Sequence, residues 1–587
     1  MKLRNRIAPI ATLIALSGMP ASNAGDVVGK VTVGYQGWFD AHGSGSPIDG
    51  WWHITPHEGP PRPGNIGIEM WPDTREYTHV YPTGFAALGN GKPAQLFSDY
   101  DYDTVLTHFR WMNQYGIDCA ALQRFQDRPD FRNQVSLNVM KAAEATGQKF
   151  YIMYDISGWR TFGEDLPKDW TETIAGKLRL TASKAYAREH GKPVVCIWGL
   201  GVEDRPGNPA TALQVITDFK KLGCYVIGGV GRNFRTDAPY AKAFKACDML
   251  SPWNVGTYKN RDGADDHRDH TMIPDVAFCK ANGIDYQPVV FPGFAWSNWQ
   301  KPPAPRNDFP RQHGDFLWEQ FVNVRQAGVP SAYVAMFDEV NEGTAIFKLA
   351  EDSSMAPSDQ YFLNLDADGV RCSSDFYLRM VGDGTAMVKA VTPLQLEHPT
   401  PHELPPSLFR TGFETVDPSP GWTDTPDKAN TRTKTGSAKS AKPACHTDSG
   451  TAHIGKRSLL ISGNAGRKAS TFRVFDFSHK PLTLGANSTL TYWINPVNAN
   501  GRFVAVDLRF TDGGTLHDGN VTDQDGHSLA ATAGHGNDLS LNQWSQIVGH
   551  IGARFAGKKV DRLWVTFDRP GATGAFQANI DDIAISE

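Results

Sequence analysis

Short β-rich runs alternate with longer segments of helical period from Lys30 to about Val391, and this alternation limits the possible folds more than any other feature of the chain. Such alternation is typical of a parallel sheet whose strands are joined by crossover helices. Eight strand-like runs over this length predict an α/β fold of the (β/α)8 TIM-barrel type. The predicted strands are Val31–Phe39, Cys119–Phe125, Phe150–Ile156, Val194–Gly199, Tyr225–Val230, Met249–Asn254, Tyr286–Phe291 and Ala332–Phe337, and the clearest amphipathic segments are Asp103–Tyr115, Asn133–Thr146, Ala210–Leu222 and Phe316–Ala327.

The chain has 587 residues, which exceeds what one hydrophobic core normally organises, so a second domain is expected. We place the barrel domain at residues 25–391. Within it, residues 40–102 form an insertion after the first strand that is too long and too rich in Gly, Pro and Trp for an ordinary loop. We expect this insertion to roof one side of the functional site.

A proline-rich run follows the barrel at residues 392–407 and is typical of a semi-rigid linker. From residue 408 to residue 587 the helical period vanishes, and short alternating runs appear between Gly, Asn and Asp residues. This pattern predicts a C-terminal β-sandwich of the jelly-roll kind. Its clearest predicted strands are Thr489–Ile494, Phe503–Phe510 and Arg562–Phe567.

The first residues are typical of a signal peptide at residues 1–24. Three basic residues precede an apolar stretch from Ile7 to Met19, and small residues follow up to Ala24. That stretch is too short to cross a hydrocarbon core of about 30 Å, and no later run is long and apolar enough to anchor the chain. We therefore expect a secreted or periplasmic protein without membrane insertion.

The net charge of −5, without a long basic run, gives no electrostatic reason to expect nucleic acid as a partner. A neutral or weakly charged substrate is expected instead. The chain has 16 Trp, 17 Tyr and 31 Phe, and aromatic planes can pack against the C–H faces of sugar rings. Core packing uses the same residue types, so composition does not decide between sugar binding and core packing. The oligomeric state is open as well.

The densest group of polar residues follows the last predicted strand, in the run Asp338–Thr344. Groups at the carboxyl ends of barrel strands converge on one mouth. Glycoside hydrolysis needs one carboxyl group to protonate the leaving oxygen and another to act as base or nucleophile. Glu339 and Glu342, three residues apart at a turning strand end, suit these roles. Spacing alone does not distinguish this catalytic interpretation from the alternative, an acidic loop that caps the next helix or is solvated.

The run Asp338–Ile346 resembles the catalytic motif of glycoside hydrolase family 99, in which two Glu separated by two residues are followed by Gly-Thr. The runs Val33–Phe39, Met153–Gly158 and Phe291–Trp296 are also similar to that family. Together these motifs make the chain resemble a family 71/99-like protein over most of the barrel, and most closely at the last strand.

The resemblance to family 99 implies endo-acting, retaining cleavage of α-mannosidic linkages through a 1,2-anhydro sugar. On this basis Glu339 would deprotonate the 2-hydroxyl, and Glu342 would be the general acid in the first step and the base toward water in the second. Val340 stands where an aromatic residue is common and Asp338 where Asn is common, which affects the expected substrate more than the chemistry.

We therefore expect a glycoside hydrolase that acts on a polysaccharide or oligosaccharide with α-linkages, with mannan as the first choice. No cofactor is expected for catalysis. An α-1,3-glucanase resembling family 71 is one alternative, and a non-catalytic carbohydrate-binding protein is another.

Several other residues of the barrel domain are candidates for substrate binding. Asp155 ends the third predicted strand, where a carboxylate can hold sugar hydroxyls; a helix cap is the alternative. The remaining candidates would face the mouth or, in the insertion, form a platform for substrate, but a register slip of one residue would turn a strand residue outward. They are Tyr35, Trp38, Trp51, Trp52, Arg124, Trp198, Trp253, Trp296 and Asn341.

The C-terminal segment resembles carbohydrate-binding jelly rolls in which the first and last strands are adjacent and share a structural calcium. The resemblance lies in Phe413-Glu414 and in the closing run Ile580–Ile583. It implies carbohydrate binding by residues 408–587, with Glu414 and Asp582 as calcium ligands, because calcium prefers carboxylate and carbonyl oxygens. Exposed acids on a strand edge are the alternative.

Overall fold

A computed structural model describes residues 25–300, 304–403, 407–414, 444–465 and 469–586. The predicted signal peptide at residues 1–24 and part of the predicted linker, residues 404–406, lie outside the described residues. Within these ranges no helix is long and apolar enough to cross a lipid bilayer.

The barrel domain is built on a parallel sheet whose strands occur where the sequence predicts them. The strands are β1 (Val31–Tyr35), β2 (Cys119–Arg124), β3 (Lys149–Asp155), β4 (Lys192–Leu200), β5 (Tyr225–Gly231), β6 (Met249–Trp253), β7 (Asp285–Tyr286), β8 (Val289–Val290) and β9 (Ala332–Val334). Their order is β7-β6-β5-β4-β3-β2-β1-β9-β8, with Arg188–Glu189 antiparallel to β4. The nearly continuous burial of these strands reflects layers of structure on both faces.

The sheet is curled in the manner of a TIM barrel. β7 pairs with β6, and β8, which is separated from β7 by two residues, pairs with β9 at the other end of the row. The sequence predicts this segment as one strand, Tyr286–Phe291, but Pro288 divides it because proline has no N–H to donate to a ladder. The sheet therefore fits the predicted TIM-barrel-like fold.

Two neighbouring strands end earlier than predicted and thereby create the loops that carry the site. β1 ends at Tyr35 instead of Phe39, because Gly37 turns the chain with a positive φ of 53°. β9 ends at Val334 instead of Phe337. Since β1 and β9 are paired in parallel, the residues after both strands leave the sheet side by side.

The helices follow the predicted amphipathic segments, and α4 shows how the sequence places one of them. The Asn208 side chain accepts the N–H groups of Ala210 and Thr211, which caps the helix, and apolar residues four and three apart form its buried face. The α-helices are α1 (Tyr102–Gln114), α2 (Pro129–Thr146), α3 (Phe162–Asp169), α4 (Pro209–Lys221), α5 (Ala241–Phe244), α6 (Arg261–His267), α7 (Ile273–Asn282), α8 (Asp315–Gln326), α9 (Phe376–Val388) and, in the C-terminal region, α10 (Gly552–Phe555). Trp170–Lys177 and Arg268–Met272 are π-helical.

The insertion at residues 40–102 contains little regular structure apart from the antiparallel pair Tyr81–Pro82 and Gln95–Leu96. It is hydrogen-bonded to the loop after β9. The N–H groups of Glu69 and Met70 donate to the Val340 carbonyl at 2.7 and 3.2 Å, and Asn341 Nδ2 donates to the His53 carbonyl at 2.6 Å. The insertion therefore lies against the loop that contains the two predicted catalytic residues.

The C-terminal region forms two antiparallel sheets. Its strands are β10 (Ser407–Thr411), β11 (Ala444–Asp448), β12 (Ser458–Asn464), β13 (Ser470–Asp476), β14 (Leu482–Thr483), β15 (Thr489–Pro496), β16 (Val504–Phe510), β17 (Ser545–Gly549), β18 (Lys559–Phe567) and β19 (Ala575–Ser586). One sheet has the order β11-β12-β19-β15-β17, with β10 paired to β19; the other has β13-β18-β14, with β16 paired to β18. Apolar residues of both sheets belong to one buried cluster. The sandwich and jelly-roll arrangement stays a prediction.

Candidate active site

Side chains from the carboxyl ends of several barrel strands line one cavity of about 230 Å³. Both predicted catalytic residues, Glu339 and Glu342, lie in its wall. Four of the predicted substrate-binding residues lie there as well. The lining residues are Gln36, Trp38, Gln123, Phe125, Met153, Asp155, Trp198, Arg205, Trp253, Val255, Ala335, Met336, Glu339, Glu342 and Thr344.

Glu339 is held in a fixed orientation. Its side chain is only 3% exposed. Gln36 Nε2 donates to Oε2 at 2.7 Å, and the Asn341 N–H donates to Oε1 at 3.2 Å. Each carboxylate oxygen therefore has a donor, and the two donors come from the ends of two adjacent strands.

Asp338, the residue before Glu339, joins the same two strand ends and lies outside the cavity lining. It is fully buried and accepts the N–H groups of Gln36 at 2.8 Å and Gly37 at 2.9 Å. These N–H groups have left the β ladder, so Asp338 supplies the acceptors that they lack. Because Gln36 in turn holds Glu339, Asp338 positions the candidate base indirectly.

Burial and mutual repulsion shift the acidity of the two Glu residues. Burial raises the pKa of Glu342 to about 7. The pKa of Glu339 is raised well above its usual range, by burial first and then by the negative charges of Glu342 and Asp338. Ionising both carboxyl groups in one small cavity is unfavourable, so the pair keeps a proton near neutral pH. One proton-donating and one proton-accepting carboxyl group is the state that acid–base cleavage requires.

This shift makes a prediction about folding stability. The folded protein binds the Glu342 proton more tightly than the unfolded chain does. The stabilisation of the fold that this proton provides is present at low pH and is lost as the pH rises through about 7. We expect Glu342→Gln to raise the free energy of unfolding at pH 8 by about 1–3 kcal/mol, and to change it little at pH 5. Denaturant unfolding of both proteins at both pH values measures this difference; equal effects at pH 5 and pH 8 would contradict it.

Three Trp side chains give the cavity flat apolar surfaces. Trp38 is stacked on His53 of the insertion at 3.7 Å and 7°, and also on Phe125. Trp198 and Trp253 meet edge to face at 5.4 Å. Within the described residues, the buried indole N–H groups of Trp38 and Trp198 have no acceptor. They are donors that a ligand can satisfy.

Asp155 caps a helical turn, which was one of its two predicted roles, and it also lies where the other role, binding of sugar hydroxyls, would require it. It lies in the cavity wall, and its carboxylate also accepts the Ser157 N–H at 2.8 Å, which caps a short 310 turn. Burial raises its pKa above the usual range of an aspartate. Its position is compatible with binding of sugar hydroxyls.

Tyr35 and Arg124 point away from the cavity, contrary to expectation. Tyr35 is fully buried, and its hydroxyl contacts His108 Nδ1 at 2.9 Å. Arg124 forms a bidentate pair with Asp169, with both N···O distances at 2.6 Å. Alternate residues of a strand face opposite sides, and both of these face the helices around the sheet.

The other four candidates also lie outside the cavity lining. Trp51 is in the hydrophobic core, Trp52 lies under the Arg128 guanidinium at 4.7 Å, and Trp296 packs edge to face on Phe294. The Asn341 side chain fastens the insertion, as described above, while its backbone N–H holds Glu339. Of these four residues, Asn341 contacts a predicted catalytic residue, through its backbone.

Four polar lining residues were not among the predicted site residues: Gln36, Gln123, Arg205 and Thr344. Gln36 and Gln123 are amides at strand ends, a signal that could have identified them. Gln123 Nε2 donates to the Tyr333 hydroxyl at 3.2 Å. Arg205 comes from the loop after β4 and lies over the Trp198 ring at 5.1 Å, a position for which the sequence has no signal.

No family model and no curated protein matches this chain. Among solved structures, a glycoside hydrolase family 99 endo-α-mannosidase from Bacteroides thetaiotaomicron is similar with 15% identity and a TM-score of 0.47, covering 62% of this chain and 98% of that one. A glycoside hydrolase-like protein has 15% identity and a TM-score of 0.36, with coverages of 63% and 97%. The neighbours thus include the family that the sequence motifs resemble. TM-scores below 0.5 carry no conclusion about the function of this chain.

The predicted calcium ligands of the C-terminal region are both held by protein donors. Glu414 Oε1 accepts the N–H groups of Lys456 and Arg457 at 2.7 and 2.8 Å, and Asp582 Oδ2 contacts His453 Nδ1 at 2.8 Å. Among the described residues, the ligating atoms that lie within 4.8 Å of one another belong instead to Asp523, Asp525 and His527. Calcium binding by Glu414 and Asp582 stays a prediction.

Proposed function

We propose that this protein is a secreted or periplasmic glycoside hydrolase that cleaves an α-linked glycan with Glu339 and Glu342. The observation that carries the proposal is the presence of these two carboxyl groups, with raised pKa values, in one aromatic-lined cavity at the carboxyl ends of barrel strands. A pure sugar-binding site has no need for two such groups. The signal-peptide pattern at residues 1–24 supports the location.

In the proposed first step, the Glu342 carboxyl group donates its proton to the leaving glycosidic oxygen. Glu339 removes the proton of the neighbouring 2-hydroxyl, whose oxygen attacks C1 as the bond to the leaving oxygen breaks. This forms a 1,2-anhydro sugar. In the second step, Glu342 takes a proton from water, the water oxygen attacks C1, and the 2-oxygen recovers a proton from Glu339. The configuration at C1 is retained after two displacements.

The surroundings of the pair suit this chemistry. Gln36 and Asn341 fix the Glu339 carboxylate, so little reorganisation is needed when it accepts a proton. Burial raises the pKa of Glu342 to about 7, which favours the protonated form that a general acid needs. The pKa of Glu339 is raised as well, so the proposed roles require the proton that the pair shares to lie on Glu342 when substrate is bound. Mannan-type glycan is the first choice of substrate, because the motif resemblance points there and the Trp rings suit an uncharged sugar.

The aromatic surfaces make a prediction about substrate affinity. We expect Trp253→Ala to raise KM by about 10–100-fold, since loss of a stacked sugar contact costs about 1–3 kcal/mol. Trp253→Phe keeps an aromatic plane and should lose less. Initial rates over a range of glycan concentrations measure the effect, and an unchanged KM for Trp253→Ala would exclude this ring from substrate binding.

The proposal is tested by incubating the protein with a panel of α-mannans, α-glucans and α-galactans. Release of oligosaccharides from one polymer would support endo-action, and the cut linkage would be read from the products. Proton NMR of the first products should show the α-anomer before mutarotation, as retention requires. A β-anomer would contradict the two-step route while leaving hydrolysis itself intact.

A further inference from the structure

The outer face of the second C-terminal sheet carries a row of side chains that the core does not use. In β18, alternate residues pack into the shared apolar cluster, so Trp564 and Thr566 face the other side. Trp564 pairs in register with Asp507 of β16, and Thr566 pairs with Ala505 of β16 and Thr471 of β13. An indole ring therefore lies near the middle of this face, in register with Asp507 of β16 on one side and Arg473 of β13 on the other, and the small and hydroxyl-bearing side chains lie around Thr566, two residues further along β18.

A groove of about 460 Å³ lies over this row, within the size range of about 300–1,000 Å³ that small-molecule sites occupy. Segments 515–518 and 529–532 form walls of the groove, which also includes Asp568 at the end of β18. Alanines such as Ala505 and Ala531 line the groove and leave room beside the indole ring. The groove shares no lining residue with the cavity that contains Glu339 and Glu342.

The groups in the groove match the surface of a sugar. The Trp564 indole N–H is buried and has no acceptor within the described part of the chain, so the protein leaves this donor unsatisfied beside the groove. Asp507 and Asp568 offer carboxylate oxygens to hydroxyl donors, and His517 lies beside Asp507. The lining contains three Asp and no Lys or Arg among the described residues, which disfavours an anionic ligand. An aromatic plane with hydroxyl-binding groups around it suits an uncharged glycan.

We propose that this groove is a second glycan-binding site, in which a sugar ring packs on Trp564. The choice of a neutral α-linked glycan as its ligand rests on the proposed function, while the groove itself takes no part in catalysis. The site holds the polymer and thereby raises the local concentration of cleavable segments near the catalytic cavity. Cleavage of a long polymer then depends on the groove, whereas cleavage of a short oligosaccharide does not.

The test uses the full-length Glu342→Gln protein, so that bound glycan is not cut. Its retention in gels containing each polymer of the α-glycan panel is compared with that of the same protein carrying Trp564→Ala, Trp564→Phe or Arg562→Ala. Arg562 is the matched control, because it lies on the same face of β18 but outside the groove lining. We expect Trp564→Ala to weaken retention by one polymer at least 10-fold, Trp564→Phe to weaken it less, and Arg562→Ala to leave it unchanged.

Two results would overturn the proposal: equal retention of the Trp564→Ala and parent proteins, or no retention of the parent by any polymer. Thermal unfolding and Trp564→Phe separate loss of the ring contact from misfolding. In the otherwise wild-type protein, Trp564→Ala should reduce polymer cleavage and spare short oligosaccharides. If Trp564-dependent retention occurs but the wild-type protein cuts no glycan, the groove proposal stands and the catalytic proposal fails.

Discussion

Glu342→Gln is expected to slow cleavage of an unactivated α-glycan by about 10²–10⁴-fold, because Gln cannot transfer a proton to the leaving oxygen. An aryl glycoside with a dinitrophenolate leaving group needs little protonation, so its first step should be largely spared. The second step should remain slow, since Glu342 is also the proposed base toward water. Rapid-mixing measurements with such a substrate should therefore show a burst of phenolate followed by slow turnover.

Glu172→Gln is the matched control for this substitution. Glu172 is an exposed residue of the π-helical segment Trp170–Lys177 and lies outside the cavity lining, so its replacement should leave both rates unchanged. Wild-type cleavage of the unactivated glycan by Glu342→Gln would exclude Glu342 as the general acid. If the burst of phenolate from the aryl glycoside were slowed as much as cleavage of the unactivated glycan, Glu342 would have a role other than proton donation to the leaving oxygen.

Asp338→Ala is expected to cause the second large effect, on both stability and activity. It leaves the buried N–H groups of Gln36 and Gly37 without their acceptor, at about 1–3 kcal/mol for each group. The free energy of unfolding should therefore fall by about 2–6 kcal/mol. Because Gln36 also holds Glu339, kcat should fall even at temperatures where the variant is folded. Denaturant unfolding and initial rates measure the two effects.

Asp338→Asn separates the effect of the hydrogen bonds that Asp338 accepts from the effect of its negative charge. The amide oxygen can accept one of the two N–H groups, so the loss of stability should be smaller than for Asp338→Ala. Loss of the Asp338 charge also lowers the pKa of Glu339, which should extend activity toward lower pH. Asp359→Ala, at an exposed position, serves as the control. If Asp338→Ala were as stable and active as this control, Asp338 would have no positioning role.

The alternation of strands and helices was enough to predict the barrel strands, because buried parallel strands are short apolar runs between amphipathic helices. The ends of strands were less predictable. β1 stops at Tyr35 because Gly37 turns toward Asp338, a partner about 300 residues away in the chain. Similarly, β7 and β8 are divided at Pro288 because β7 pairs with β6 and β8 pairs with β9, and local sequence does not reveal these pairings.

Residues of the candidate site could be predicted where the residue type and its place at a strand end together indicate a location in the site and a chemical role. Glu339, Glu342, Trp198 and Trp253 lie in the cavity as expected. Tyr35 does not, because a shift of one residue in a strand reverses the direction of a side chain, and periodicity in a fully buried strand does not reveal which side faces inward.

Contacts between distant segments account for most of what the sequence did not reveal. Gln36 holds Glu339 across 303 positions. His53 stacks on Trp38 from an insertion without helical or strand period. The groove around Trp564 requires the register of three strands, which is set by the packing of two sheets. Such contacts depend on tertiary packing rather than on local pattern.

The claim that Glu339 and Glu342 form a catalytic pair is tested most directly by one parallel measurement. Release of reducing ends from the α-glycan that the wild-type protein cuts would be followed for wild type, Glu339→Gln, Glu342→Gln and Glu172→Gln at equal concentration. The structure predicts full activity for wild type and Glu172→Gln, and a loss of at least about 10²-fold for each of the other two. Undiminished release by both Glu339→Gln and Glu342→Gln would show that other groups carry the reaction.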